Sequence, residues 1–280
     1  VITVIPYFNR FIKNIPDIET LAKFDDLKLI KFWEGLGYYS RVRNLKKAAQ
    51  VIVKDFDKKL PSNFLELKSL PGIGDYTASA ISAIAFNKPL IPLDGNIERV
   101  LKRYLYLKKE NQIRKENLIK QKKIFGTSRR SSDYAQALME LGALICKPKN
   151  PLCDQCPISK KCTSFIKKDF NLTKIIKKNR DKYFLLKVYK KNNKYLLVKN
   201  NKFNFLKNLK IFPMNELIKP KNFKQNMSFK MSNMNMSVKI EYNKMIKAIP
   251  YSYWIDPKNL KNYTLPTFTK KIVKYLENHK

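Results

Sequence analysis

The sequence predicts a mostly α N-terminal region over residues 1–165 and a smaller α+β region over 182–280, joined by a basic linker, 166–181. Three observations lead there. Apolar residues recur at three- and four-residue spacing through most of the first 165 positions. Beyond Cys162 that period gives way to short β-runs around a two-asparagine turn. Four cysteines, the only ones among 280 residues, stand together where the two patterns meet.

In chain order, "IPDIETLAKFDDLKLIKFWEGLGYY" reads as a helix stopped by Gly35 and Gly37. "SRVRNLKKAAQVIVKDF" repeats the period with Ser40 as N-cap, and "SDYAQALMELGALIC" does so with Ser132 or Asp133 as cap. In the C-terminal region "YFLLKVYKKNNKYLLVKN" reads as two strands turning at Asn192–Asn193. "MSVKIEY" adds a strand, and "TKKIVKYLEN" closes the chain as a helix.

Composition bounds the function. Hydrophobic residues at 44% and aromatics at 12% mark a folded globular chain. The longest apolar runs fall far short of the roughly 20 residues that span a bilayer. The chain shows no secretory signal at Val1, so a cytoplasmic, nucleoid-associated location is expected. The net charge of +36 sets up a field that binds polyanions, nucleic acid ahead of membrane. Residues 164–280 hold 28 of the 58 basic side chains but only 6 of the 22 acidic ones, so the excess is steeper there.

Cys146, Cys153, Cys156 and Cys162 follow a C-x6-C-x2-C-x5-C spacing. Disulfides are disfavoured in a chain that otherwise has no cysteine and reads as cytosolic. Four thiolates suit a structural zinc ion or a [4Fe–4S] cluster, and the spacing does not separate the two. Lys147, Lys149, Lys160 and Lys161 interleave these ligands, so the 146–162 loop is also expected to meet phosphates.

"LPGIGDYTASAI" carries two of only seven glycines. Gly72 and Gly74 allow a tight turn with its amides aimed outward at a helix N-terminus, a cradle for a phosphate. The plainer alternative is a simple link between helices. "IPLDGNIERVLKR" then places Asp94 before another amphipathic helix. There it can cap the helix, or present a fixed negative charge to a cationic sugar.

Together, "LPGIGDYTASAI", "PLDGNIERVLKR", "GLGYYSRVRNLKKAA" and the cysteine spacing resemble the MutY-type adenine DNA glycosylases of the helix–hairpin–helix base-excision superfamily. The resemblance covers about residues 1–165. It implies a helix–hairpin–helix glycosylase domain with a [4Fe–4S] cluster on the four cysteines, a Nudix-like lesion-recognition domain over 182–280, and a monomeric enzyme. The implied substrate is double-stranded DNA carrying adenine opposite 8-oxoguanine or guanine. Asp94 would stabilise the sugar cation, Asn96 would order water or a phosphate, and Tyr76 would line the base pocket. Tyr38 would wedge into the duplex, and Gly72, Ile73, Gly74, Arg41 and Arg43 would contact it.

Relatives of endonuclease III type have a lysine immediately before Thr77, whose amine forms an imine with the sugar and permits strand cleavage. Tyr76 cannot do so, and a monofunctional hydrolase is expected rather than a glycosylase/lyase. The family's catalytic glutamate is expected upstream of Val1, leaving the chain short of its general acid, and Glu19 and Glu34 are not substitutes for it. A catalytically silent, cluster-bearing DNA-binding module is the alternative. In the C-terminal region the family's Phe-Ser-His reading loop corresponds to a stretch with Asn233, Met234 and Asn235. No Nudix-type G-x5-E-x7-R-E-x-x-E-E run is present, so pyrophosphate hydrolysis is not expected.

Overall fold

The computed structural model describes residues 4–171, 179–218, 220–231, 233–244 and 249–279. Residues 172–178, within the stretch read as linker, lie outside the described residues. The chain forms two compact units, one of Val1–Lys46 with Lys177–Lys280 and the other of Lys47–Ile176.

The first unit opens with α1 (Ile5–Asn14), α2 (Ile18–Lys23) and α3 (Asp26–Phe32), followed by the start of α4 (Ser40–Asp55). The single helix expected over 15–39 is two. Asp17 accepts from the Thr20 amide at 2.8 Å and caps α2, while Asp25 accepts from the Lys28 amide at 2.8 Å and caps α3. Two acidic caps eight residues apart start two helices, overriding a continuous apolar period. Gly35 (φ +105°) and Gly37 (φ +70°) do end the segment. Ser40 is the first residue of α4 rather than its cap, and the helix is entered on the carbonyls of Tyr38 and Tyr39, which accept from Arg41 and Arg43.

The C-terminal part of this unit is α+β. One sheet has the order β5 (Met214–Leu217), β1 (Arg180–Val188), β7 (Met234–Tyr242), β6 (Met227–Met231), with β1 and β7 parallel. The other holds β2 (Lys190–Lys191), β3 (Lys194–Lys199) and β4 (Lys210–Ile211), with β8 (Ser252–Ile255) also paired to β3. Asn192 (φ +48°) and Asn193 (φ +57°) make the expected turn, both left-handed as a two-residue hairpin requires. The hairpin closes through β2, and β1 belongs to the other sheet. β1 also begins at Arg180, inside the stretch read as linker. Phe184, Leu186 and Val188 face a core shared with Tyr195, Leu197, Phe212 and Val238. The last helix, here α12 (Thr267–Asn278), buries Phe268, Ile272, Val273 and Leu276 in that core.

The second unit is helical: the rest of α4, then α5 (Phe64–Ser69), α6 (Asp75–Phe86), α7 (Gly95–Tyr104), α8 (Glu110–Ile113), α9 (Lys115–Gln121), α10 (Ser131–Glu140) and α11 (Thr163–Ile166). α6 buries only small side chains, Ala78, Ser79, Ser82 and Ala83, which lets a neighbouring helix approach closely. Neither Ser132 nor Asp133 caps α10. The Ser132 amide donates instead to the Asn87 side chain at 3.0 Å, and Asp133 pairs with Arg130. Asn87 ends α6 in the left-handed region (φ +50°), so one residue closes one helix and caps another. α10 then loosens into a π turn over Leu141–Ile145.

Candidate functional site

The α5–α6 turn is built as its glycines require. Asn63 caps α5 by accepting from the Leu65 amide at 2.8 Å, Gly72 takes φ +81°, and Gly74 is the N-cap of α6. Gly74 has no side chain with which to satisfy the first amides of α6, and Gly72, Gly74, Asp75 and Tyr76 are all exposed. A helix N-terminus left open in this way attracts anions. Asp75, on its first turn, is paired with Lys68 at 2.7 Å, which holds its carboxylate below the usual range.

Asp94 caps α7. Its Oδ1 accepts from the Asn96 amide at 2.9 Å and the Ile97 amide at 2.7 Å. Among the described residues no hydrogen bond or ion pair occupies Oδ2, so capping and a second role use different oxygens. Tyr76, 41% exposed, stands near enough to feel this charge: burial raises its phenol, and Asp94 raises it further. A phenol held neutral beside a carboxylate can donate a hydrogen bond but cannot attack as an amine would. The Asn96 side chain accepts from Arg99 at 2.9 Å, and its backbone packs on Gly142 so closely that a Cβ there would stand 2.6 Å from the Asn96 Cβ.

Arg99 and Arg103, one turn apart on α7, were not singled out from the sequence, although their i, i+4 spacing puts them on one face. Arg99 donates to the Cys146 carbonyl at 2.8 Å and to the Gly142 carbonyl freed by the π turn. Arg103, 5% exposed, donates to the carbonyls of Lys147 and Pro148 at 2.6 and 2.9 Å and approaches the Cys146 Sγ at 3.5 Å. Its Nε is buried without a partner among the described residues.

All four cysteines line one cavity of about 380 Å³ including its open mouth, together with Arg103, Leu152, Phe165 and Phe170. Burial raises the Cys153 and Cys156 thiols, and the neighbouring sulfurs raise them further. Among the described residues no three His, Cys, Asp or Glu side chains are grouped tightly enough to hold one metal ion. The Phe170 ring covers the Arg103 guanidinium at 5.5 Å. Asp169, beside it, accepts from the Tyr106 hydroxyl at 2.8 Å and from Lys108, which together hold its carboxyl at about 2.

In the other unit, Tyr38 is 61% exposed and sits in the left-handed region (φ +46°), uncommon for a bulky residue. The Arg41 guanidinium lies 4.9 Å over its ring. Tyr39 is core, only 6% exposed. Arg43 is half-buried, burial lowers its pKa, and its buried Nη2 has no partner among the described residues, so it faces inward where Arg41 faces solvent. Asn233 lies in the exposed β6–β7 turn, Met234 opens β7, and the Asn235 amide donates to Asp181 at 2.8 Å.

Residues 1–123 match the family described as HhH-GPD superfamily base excision DNA repair protein. The chain is 37% identical over 218 residues to the adenine DNA glycosylase of Buchnera aphidicola subsp. Baizongia pistaciae, covering 75% of this chain and 61% of that relative. It is 37% identical over 169 residues to the human adenine DNA glycosylase, covering 58% of this chain and 30% of that protein. The chain thus spans about three fifths of the bacterial relative's length. Among solved structures it superposes on a thermostable thymine-DNA glycosylase with TM-score 0.52 and 27% identity, over 59% of this chain and 76% of that one. The helical part therefore has the HhH-GPD glycosylase fold, and the C-terminal part is an α+β region.

Proposed function

Residues 1–123 match the HhH-GPD superfamily of base excision DNA repair proteins and the chain resembles adenine DNA glycosylases, and on that premise we propose that it hydrolyses the N-glycosidic bond of adenine opposite 8-oxoguanine or guanine in duplex DNA, without strand cleavage. The observation that carries this reading is the capped Asp94 carboxylate, whose charge reaches the Tyr76 phenol. One oxygen of that carboxylate is tied to the α7 amides, the other has no partner among the described residues, and the residue that feels its charge is a phenol where a glycosylase/lyase would have an amine.

The base must leave the stack to be reached. As its bond to deoxyribose lengthens, positive charge grows on the sugar, and the fixed Asp94 carboxylate stabilises it. The α7 cap locks that carboxylate in one pose, so no reorganisation is needed as charge develops. Tyr76, being neutral, lines the pocket and forms no imine. Asn96 has its side chain held by Arg99 and orders water or a phosphate from that fixed position. The resemblance assigns protonation of the departing base to a glutamate upstream of Val1. Glu34 is no substitute, because hydrogen bonds from Lys270, Lys31 and the Leu265 amide outweigh its burial and keep it ionised.

Phosphates would meet the open amides at Gly72–Gly74 and the Arg41 side chain, and Tyr38 would enter the stack as a wedge. Within the 182–280 region we assign recognition of the damaged base to Asn233, Met234 and Asn235. The four cysteines would hold a [4Fe–4S] cluster, which supplies a crosslink for a loop too small to have its own core. Two features fit that group: the four thiols share one cavity, and the buried Arg103, its Nη1 3.5 Å from the Cys146 Sγ, would offset the charge of thiolates there. A centre of several iron atoms spreads its thiolates around its own body, unlike a zinc ion.

The test is single-turnover release of free adenine from duplex carrying adenine opposite 8-oxoguanine, with the chain extended upstream through the expected glutamate. Release without a borohydride-trapped adduct supports the reading. A trapped adduct would assign a lyase, and tight salt-sensitive binding with no release would leave a DNA-binding module.

A further inference from the structure

The segment from Trp33 to Tyr38 is held from every side. The Trp33 indole donates to the Gly37 carbonyl at 2.9 Å. Gly35, at φ +105°, has the Tyr7 hydroxyl where a Cβ would stand, 2.5 Å away. Between them Glu34, its side chain only 11% exposed, gathers three donors, two of them from more than 200 residues away. Lys270 of α12 lies 2.5 Å from Oε1, the Leu265 amide 3.3 Å from the same oxygen, and Lys31 2.9 Å from Oε2. Lys31 donates in turn to the Lys261 carbonyl at 3.1 Å. Four residues further on, the chain delivers Tyr38, exposed and in a left-handed conformation that persists only where its surroundings impose it.

The other end of this network is firm. α12 is anchored in the C-terminal core, and its Thr269 hydroxyl donates to the Lys210 carbonyl at 2.9 Å. The Phe268 ring meets Phe229 of β6 edge-on, centroids 4.6 Å apart. β6 runs directly into the turn that carries Asn233. From Asn233 to Tyr38 the contacts are thus β6, Phe229–Phe268, α12, Lys270–Glu34 and the glycine loop.

We infer that Glu34 is a positioning residue: its carboxylate fixes the pose of Tyr38 against α12, so that the C-terminal region sets where the aromatic wedge meets the duplex. This rests on the reading of Tyr38 as a wedge and of the C-terminal region as the reader of the damaged base. Neither the sequence patterns nor the relatives' names point to Glu34. Glu34 touches no substrate and acts through Tyr38.

The experiment is a double-mutant cycle read as equilibrium binding, which does not require the general acid. Affinity for a fluorescent duplex with adenine opposite 8-oxoguanine, and for the same duplex fully paired, is measured at fixed salt for wild type, Glu34→Ala, Tyr38→Ala and the double variant. Glu34→Ala is expected to weaken lesion binding about tenfold, with paired-duplex binding nearly unchanged. In the Tyr38→Ala background the same substitution should do nothing further. Lys270→Arg, which keeps the ion pair, should bind like wild type. Additive losses in the double variant, or equal losses on both duplexes, would overturn the inference and leave Glu34 a structural tie. If Tyr38→Ala alone leaves lesion binding intact, the wedge reading fails, and the inference with it.

Discussion

The buried Arg103 guanidinium stands 3.5 Å from the Cys146 sulfur through Nη1, which also donates to the Lys147 carbonyl, while Nη2 donates to the Pro148 carbonyl. A single side chain from α7 therefore ties the first cysteine and the two residues after it to the helical unit that also carries Asp94. Arg103→Leu would remove the buried cation and orphan two carbonyls, at about 1–3 kcal/mol for each group left unsatisfied. The expected result is a lower melting temperature and a lower iron content per chain on purification, with iron measured directly. Arg103→Lys should recover only part of this, because an ammonium cannot reproduce the fork that reaches both carbonyls.

Asp169 gives the stability of the helical unit a pH dependence of definite sign. Hydrogen bonds from Lys108 and Tyr106 hold its carboxyl at about 2 in the folded chain, against 3.8 for the free group. A lowered folded value means that its contribution is complete above about pH 4 and fades as pH falls towards 2. The melting temperature of Asp169→Asn should lie below wild type by a constant amount above pH 5, with the gap closing between pH 4 and 2. A gap that widens on acidification would contradict the assignment.

Gly142 tests the packing of α7 on the π turn. A methyl group there would stand 2.6 Å from the Asn96 Cβ and 2.9 Å from its backbone, atoms that cannot swing aside. Gly142→Ala should destabilise by roughly 1–3 kcal/mol. Gly95→Ala, where a Cβ meets nothing within 4 Å, is the control and should be close to neutral. Thermal or urea unfolding of the pair separates them.

Much of this architecture could be read from local chemistry. Gly35, Gly37 and Gly72 do take positive φ, Asn192–Asn193 does turn a hairpin, and the last helix follows its apolar period. Those features depend on residues within a few positions of one another. What could not be read was assembled across distance. Asn87 caps a helix that starts more than 40 residues later, Arg99 serves a carbonyl freed by an unforeseen π turn, and Glu34 collects donors from more than 200 residues away. Arg41 and Arg43 show the same limit within two residues. They look alike in sequence, yet the α4 period turns one to solvent and the other inward. At Asp94 the cap and the charge are both encoded in "LDGN", but only the folded chain shows both amides on the same oxygen, Oδ1.

That division of labour at Asp94 allows the most direct measurement. Asn is as good a helix cap as Asp, whereas Ala forfeits about 1 kcal/mol. In the upstream-extended chain, Asp94→Asn should melt with wild type, bind the lesion duplex with wild type, and release adenine at least a hundredfold more slowly, in line with the loss of one electrostatic contact to the transition state. Asp94→Ala should be equally slow and also less stable. If Asp94→Asn released adenine at the wild-type rate, the carboxylate would be a cap and nothing more, and the chemistry assigned to this site would be wrong.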